Sequence, residues 1–80
     1  MALPTPEYLR DLIATGLNCI HVEVQGDGQH FYATIVSPAF TGKSRLARHR
    51  LVYAALGDRM RAEIHALSMR TVAPGEPMPD

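Results

Sequence analysis

A hairpin near the middle of the chain constrains its fold more than any other feature. Residues 19–24, Cys-Ile-His-Val-Glu-Val, alternate, with Ile20, Val22 and Val24 on one face and His21 and Glu23 on the other. Strand side chains point to opposite faces in turn, so this pattern predicts a half-buried strand. Gly26-Asp27-Gly28 is a strong hairpin signal. The return strand, Phe31-Tyr-Ala-Thr-Ile-Val, is rich in aromatic and β-branched residues and ends at Ser37-Pro38. A two-stranded hairpin alone is marginal in water, so its apolar face needs helices over it and a further strand beside it.

Two segments can supply helices. Thr5, Pro6 and Glu7 read as N-cap, first helical residue and dipole-favoured acid. Tyr8, Leu9, Leu12 and Ile13 follow at helical spacing up to Gly16. The second segment runs from Phe40 to Tyr53 and beyond, with Phe40 as an apolar anchor, Gly42 permitting a turn and Ser44 as N-cap. Gly57 fits its C-terminal stop. At about 100° per residue this helix divides into two arcs. Leu46, His49, Val52, Tyr53 and Leu56 share one, which we expect to face the core. Ala47, Arg50, Leu51 and Ala54 share the other, with Arg48 and Ala55 at its border. On this reading His49 is structural, a buried neutral imidazole holding the helix to the sheet through a hydrogen bond.

Asp58 can cap a short helix through about Glu63, and Ile64–Val72 reads as a third strand. Residues 73–80, Ala-Pro-Gly-Glu-Pro-Met-Pro-Asp, support neither periodicity and are expected to form a flexible Pro-rich tail. The order α-β-β-α-α-β predicts an α+β two-layer sandwich, a three-stranded sheet with helices on one face. Eighty residues make one small domain, over residues 1–72.

The formal net charge is zero, yet it is unevenly spread. Between Lys43 and Arg61 six cations face Asp58 alone, while Glu7, Asp11, Glu23 and Asp27 balance them from the first half. Lys43, Arg45, Arg48 and Arg50 can contact phosphates, dock an acidic protein or form a solvated helix face. The single cysteine, Cys19, excludes an internal disulfide and reads as a small buried hydrophobe. We expect a cytoplasmic setting: no run approaches the ~20 apolar residues of a membrane span, and the first residues lack a secretory signal's basic and apolar regions. No paired carboxylates, phosphate-cradling glycine loop or cysteine-histidine nucleophile pair is present, so a non-enzymatic role is expected.

Taken together, several of these residues resemble the BolA-like family. They are Phe40-Thr-Gly42, Leu46, Arg48-His49-Arg50, Val52 and Leu56, then Ile64-His65-Ala66-Leu67 leading to Thr71. Gly26-Asp-Gly28 followed by His30-Phe31 resembles the family's short-loop bacterial branch. The resemblance implies a fold like the class II K-homology domain, with three helices on one side of the sheet. It also implies a partner, a monothiol glutaredoxin, and a two-iron, two-sulfur cluster shared with it, to which the family contributes histidine ligation. His65 matches the family's late histidine and is the metal-ligand candidate. His30 either joins it as second ligand or packs beside the turn. Some members are described as DNA-binding regulators of stress and cell-shape responses, which here would use the basic helix. Alone, the protein is expected to be a monomer or weak homodimer without a cofactor.

Overall fold

The computed structural model describes residues 5–27, 29–57 and 66–77. The first helix, α1, is Pro6–Gly16, and the side chain of Thr5 caps it by accepting from the Tyr8 amide at 3.1 Å. Strands β1, His21–Gly26, and β2, His30–Val36, pair antiparallel, with Gly26 opposite Phe31 and His21 opposite Val36. A 3₁₀ turn, Pro38–Phe40, leads to α2, Arg45–Leu56, whose N-cap Ser44 accepts from the Ala47 amide at 3.2 Å. Strand β3, Ala66–Val72, then pairs parallel to β2, so the sheet order is β1-β2-β3.

This is the expected α+β arrangement. The parallel pairing follows from connectivity, since the chain leaves the end of β2, crosses through α2 and re-enters beside the start of β2. The short helix expected from Asp58 to Glu63, and Ile64 and His65, lie outside the described residues.

The core is one cluster with a contribution from nearly every element. Leu9 and Ile13 of α1, Phe31, Ala33 and Ile35 of β2, Phe40 of the 3₁₀ turn, Val52 and Leu56 of α2, and Ala73 are all buried. Each large side chain among them contributes about 1.5–3 kcal/mol by leaving water. Ser37 is buried too, and its hydroxyl bonds the carbonyl of Asn18 and accepts from the Ala39 amide at 3.1 Å. Its own amide donates to Val72 at 3.0 Å, so the ends of β2 and β3 meet there. Where α1 reaches α2, a Cβ built on Gly16 would lie 2.8 Å from the Ala55 Cβ. Glycine permits that approach.

Three expectations are corrected. Of the arc expected to face the core, Val52 and Leu56 are buried, but Leu46 is 61% and Tyr53 42% exposed. The inward face of α2 runs through Arg48, Val52, Ala55 and Leu56, at the i, i+4, i+7, i+8 spacing of a single stripe. Ile20, expected on the covered face of β1, precedes that strand and is 66% exposed. Finally, Ala73–Pro77 does not fray. Ala73 is buried, and a turn brings Glu76 back to bond the Ala73 amide at 2.9 Å.

Candidate functional site

The first turns of α2 and the outer edge of β3 face each other across a cleft of about 480 Å³. Lys43, Arg45, Arg48, His49 and Arg70 line it, together with Met69, Thr71 and Glu76. Phe40 stands beneath, fully buried, and Gly42, at φ 76°, takes a left-handed conformation that side chains disfavour. That turn delivers Lys43 and the N-cap Ser44 to the helix start, so Phe40 and Gly42 position the cationic residues.

Arg48 holds the cleft closed at one end. Its guanidinium is bidentate on Glu76, with both Nη–Oε distances 2.8 Å. Nη1 also donates to the Thr71 carbonyl and Nε to the Lys43 carbonyl, each at 2.9 Å, and its carbon lies 5.9 Å from the centre of the Phe40 ring. The Arg48 side chain is only 12% exposed. Bonds from Arg48 and the Ala73 amide hold the Glu76 carboxyl down at about 2, and the same pairing raises the Arg48 guanidinium further. Arg48 therefore ties helix, strand and tail together, and it is not displayed beside Arg45 and Arg50 as the helical arcs suggested.

Lys43, Arg45 and Arg50 are exposed, and none of them pairs with a carboxylate among the described residues. Leu46, Arg50 and Tyr53 follow one another along the outer side of α2, a stripe that mixes apolar surface with charge. His49 is half-buried on the cleft wall, and among the described residues its ring makes no hydrogen bond to the sheet. Burial and then the Arg45 charge push its pKa down, keeping it neutral. The link from α2 to the sheet that was expected of His49 is made by Arg48, one position earlier.

Of the two candidate cluster ligands, His30 stands at the other end of the sheet. The carboxylate of Asp27 accepts from the amides of Gln29 and His30, each at 2.9 Å, which fixes the entry into β2 and lowers the Asp27 pKa. The imidazole of His30 is exposed, and His30 stands opposite Ala66 across the β2–β3 pair. His65 lies outside the described residues, but it is joined to Ala66 by one peptide unit, about 3.8 Å between Cα atoms. Among the described residues no three His, Cys, Asp or Glu side chains gather as a metal site. Cys19 is half-buried against the core, and burial raises its pKa, so it is kept as a thiol. An exposed imidazole at a strand end fits a share of a metal centre whose remaining ligands come from elsewhere. His21, on the open face of the sheet, stands 3.8 Å from Glu23.

Glu76 and Arg70 complete the cleft, and neither was singled out from the sequence. Glu76 meets Arg48 across 28 positions, a separation at which no local pattern operates. Arg70 is recognisable only once β3 is placed at the sheet edge. No helix among the described residues is long and apolar enough to cross a membrane.

The family model for BolA-like proteins matches residues 8–76. The chain is 46% identical over 61 residues to SufE-like protein 1, chloroplastic/mitochondrial, of Arabidopsis thaliana, covering 70% of this chain and 16% of that protein. It is 38% identical over 66 residues to a protein of Vibrio cholerae named DNA-binding transcriptional regulator BolA, covering 82% of this chain and 59% of that one. The match thus spans less than two thirds of either relative. Among solved structures, a BolA protein homologue from Coxiella burnetii superposes with a TM-score of 0.77 at 44% identity, covering 89% of this chain and 92% of that chain.

Proposed function

This chain belongs to the BolA-like family, and we propose that it acts without catalysis, as the partner of a monothiol glutaredoxin with which it shares a two-iron, two-sulfur cluster. The observation that carries this reading is the exposed imidazole of His30 opposite Ala66, the residue that follows His65. In this reading His65 is the ligand, His30 assists it, and Lys43, Arg45 and Arg50 help dock the partner. The cluster, when bound, supplies an electron carrier whose potential is raised by imidazole in place of thiolate. The chain's own contribution is to hold an imidazole at the strand end and to present a cationic face. Only a neutral imidazole coordinates, so acid releases the shared cluster as the histidine protonates.

The test mixes the protein with cluster-loaded glutaredoxin under anaerobic conditions and follows the visible spectrum. His65→Ala is expected to change the spectrum and weaken the complex, and His30→Ala to do so less. A spectrum and an affinity unmoved by His65→Ala would remove the ligand assignment.

A second reading, a DNA-binding regulator, is supported by Lys43, Arg45 and Arg50 around the first turns of α2, exposed and unpaired among the described residues. Phosphate contacts of that kind predict affinity that falls with salt, by a logarithmic slope of about 0.9 per phosphate neutralised. Arg50→Ala flattens that slope and leaves the cluster spectrum alone. Absence of binding to any duplex at low salt excludes this reading.

A further inference from the structure

β3 is an edge strand, and its two halves are treated differently. Val72 gives its carbonyl to Ser37, on the side of β2. A strand residue directs both its backbone groups to the same side, and its neighbours direct theirs to the other. The backbone groups of Leu67, Met69, Thr71 and Ala73 therefore point outward, away from β2. At the far end two of these outward groups are occupied by side chains: Arg48 donates to the Thr71 carbonyl and Glu76 accepts from the Ala73 amide, each at 2.9 Å. The ion pair makes the contacts that the end of a neighbouring strand would make. Before it, the outward groups of Leu67 and Met69 and the amide of Thr71 bond nothing among the described residues.

The surroundings of that open stretch have one sign. Lys43 and Arg45 stand on the helix side of the cleft, and Arg70 rises from β3 itself. Among the described residues none of the three pairs with a carboxylate, and Glu76, the one carboxylate lining the cleft, is taken up by Arg48. A segment lying along β3 would turn alternate side chains toward Lys43 and Arg45 and toward Arg70. The chain itself shows what the cleft accepts, since its own tail places a carboxylate there, which accepts from Arg48 and from the backbone amide of Ala73, just past β3.

We propose that the outer edge of β3 from Leu67 to Thr71 is a strand-addition site for an acidic extended segment of a partner protein, with the Arg48–Glu76 pair as its end stop. The open edge takes about five residues, some 16 Å of extended chain. Main-chain hydrogen bonds supply the docking, and Lys43, Arg45 and Arg70 select the charge. The proposal rests on the reading of this chain as a partner protein and adds the kind of segment it takes, with or without a shared cluster.

The test titrates isotope-labelled protein, free of iron, sulfide and glutaredoxin, with a capped hexapeptide of glutamate and valine. It therefore succeeds or fails independently of the cluster reading. The amides of Leu67, Met69 and Thr71 are expected to shift and gain protection from hydrogen exchange. Binding weakens as salt shortens the Debye length from about 10 to about 3 Å. Combining Lys43→Glu with Arg70→Glu weakens it about tenfold or more, equivalent to about 1.4 kcal/mol. The same peptide N-methylated on alternate residues keeps its charge and loses binding. Equal binding of a lysine-valine peptide, full binding of the methylated one, or no binding by either overturns the proposal. So does a short DNA duplex that occupies the cleft when the peptides do not, which would assign it to nucleic acid.

Discussion

Arg48 and His49 are neighbours, and both differ from what their positions suggested. A side chain ending in a guanidinium was placed at the border of the outward arc, yet Arg48 lies on the buried stripe with Val52 and Leu56 because three acceptors wait for it. The carbonyls of Lys43 and Thr71 and the Glu76 carboxylate satisfy all three of its nitrogens. A buried cation is tolerated when it is paired in this way. Glu76 carries the pH consequence. Its folded pKa of about 2 lies below the ordinary 4.5, so its contribution is present above about 4.5 and is lost as pH falls toward 2. Glu76→Gln keeps an acceptor for the Ala73 amide and removes the ion pair. The variant is expected to melt below the parent protein at neutral pH, with the difference shrinking as acid protonates Glu76 in the parent. Melting curves across that range check it, and a difference that stays constant down to pH 2 refutes the ion-pair account. Nothing near Glu76 in the chain announces this role. Its partner is 28 residues away, and a Pro-Gly turn beside a proline reads equally well as a loose tail.

At the scale of elements, much of the architecture was legible because it is local. The caps at Thr5 and Ser44, the hairpin around Asp27 and the strand patterns depend on residues a few positions apart. The face that α2 buries was less legible, because the helix carries Leu46 and Tyr53 on its exposed side and an arginine on its buried side, which blurs the apolar stripe. Which edge of the sheet receives β3, and hence where Arg70 and the cleft stand, depends on long-range pairing that no short pattern encodes. The start of α2 also carries an electrostatic conflict. Lys43 and Arg45 sit at the positive end of the helix dipole, and no acidic residue occupies its first turn. Arg45→Glu should therefore stabilise the domain by about 0.3–1 kcal/mol in denaturant titrations. The change should also raise the His49 pKa, although not fully, because burial is the larger cause of its depression. Resonances of the His49 ring followed against pH report this directly. Together with weaker binding of an acidic peptide, greater stability in this variant would mean that the cations are kept for a partner at the expense of the helix.

Across the whole molecule, the cleft, the candidate ligand end and the core depend on the same few buried residues. Phe40 links them: it packs among the side chains of α1, β2 and α2, stands under the Arg48 guanidinium, and leads into the turn that starts α2. Because helices and sheet share one cluster of buried residues, the domain is expected to unfold as a unit, with far-ultraviolet signal and tyrosine fluorescence lost together. A chain of 80 residues at about 0.05–0.15 kcal/mol per residue has about 4–12 kcal/mol of stability in all. Phe40→Ala removes a fully buried ring, a change that costs about 3–5 kcal/mol. The variant is therefore expected to lie close to its unfolding midpoint or past it, whereas Leu46→Ala, at a side chain 61% exposed, is expected to shift stability by less than about 0.5 kcal/mol. Equilibrium denaturation of the two separates a residue that holds the domain together from one that only faces outward. Similar losses for both would mean that the apolar side of α2 seen here is not the one that carries the fold.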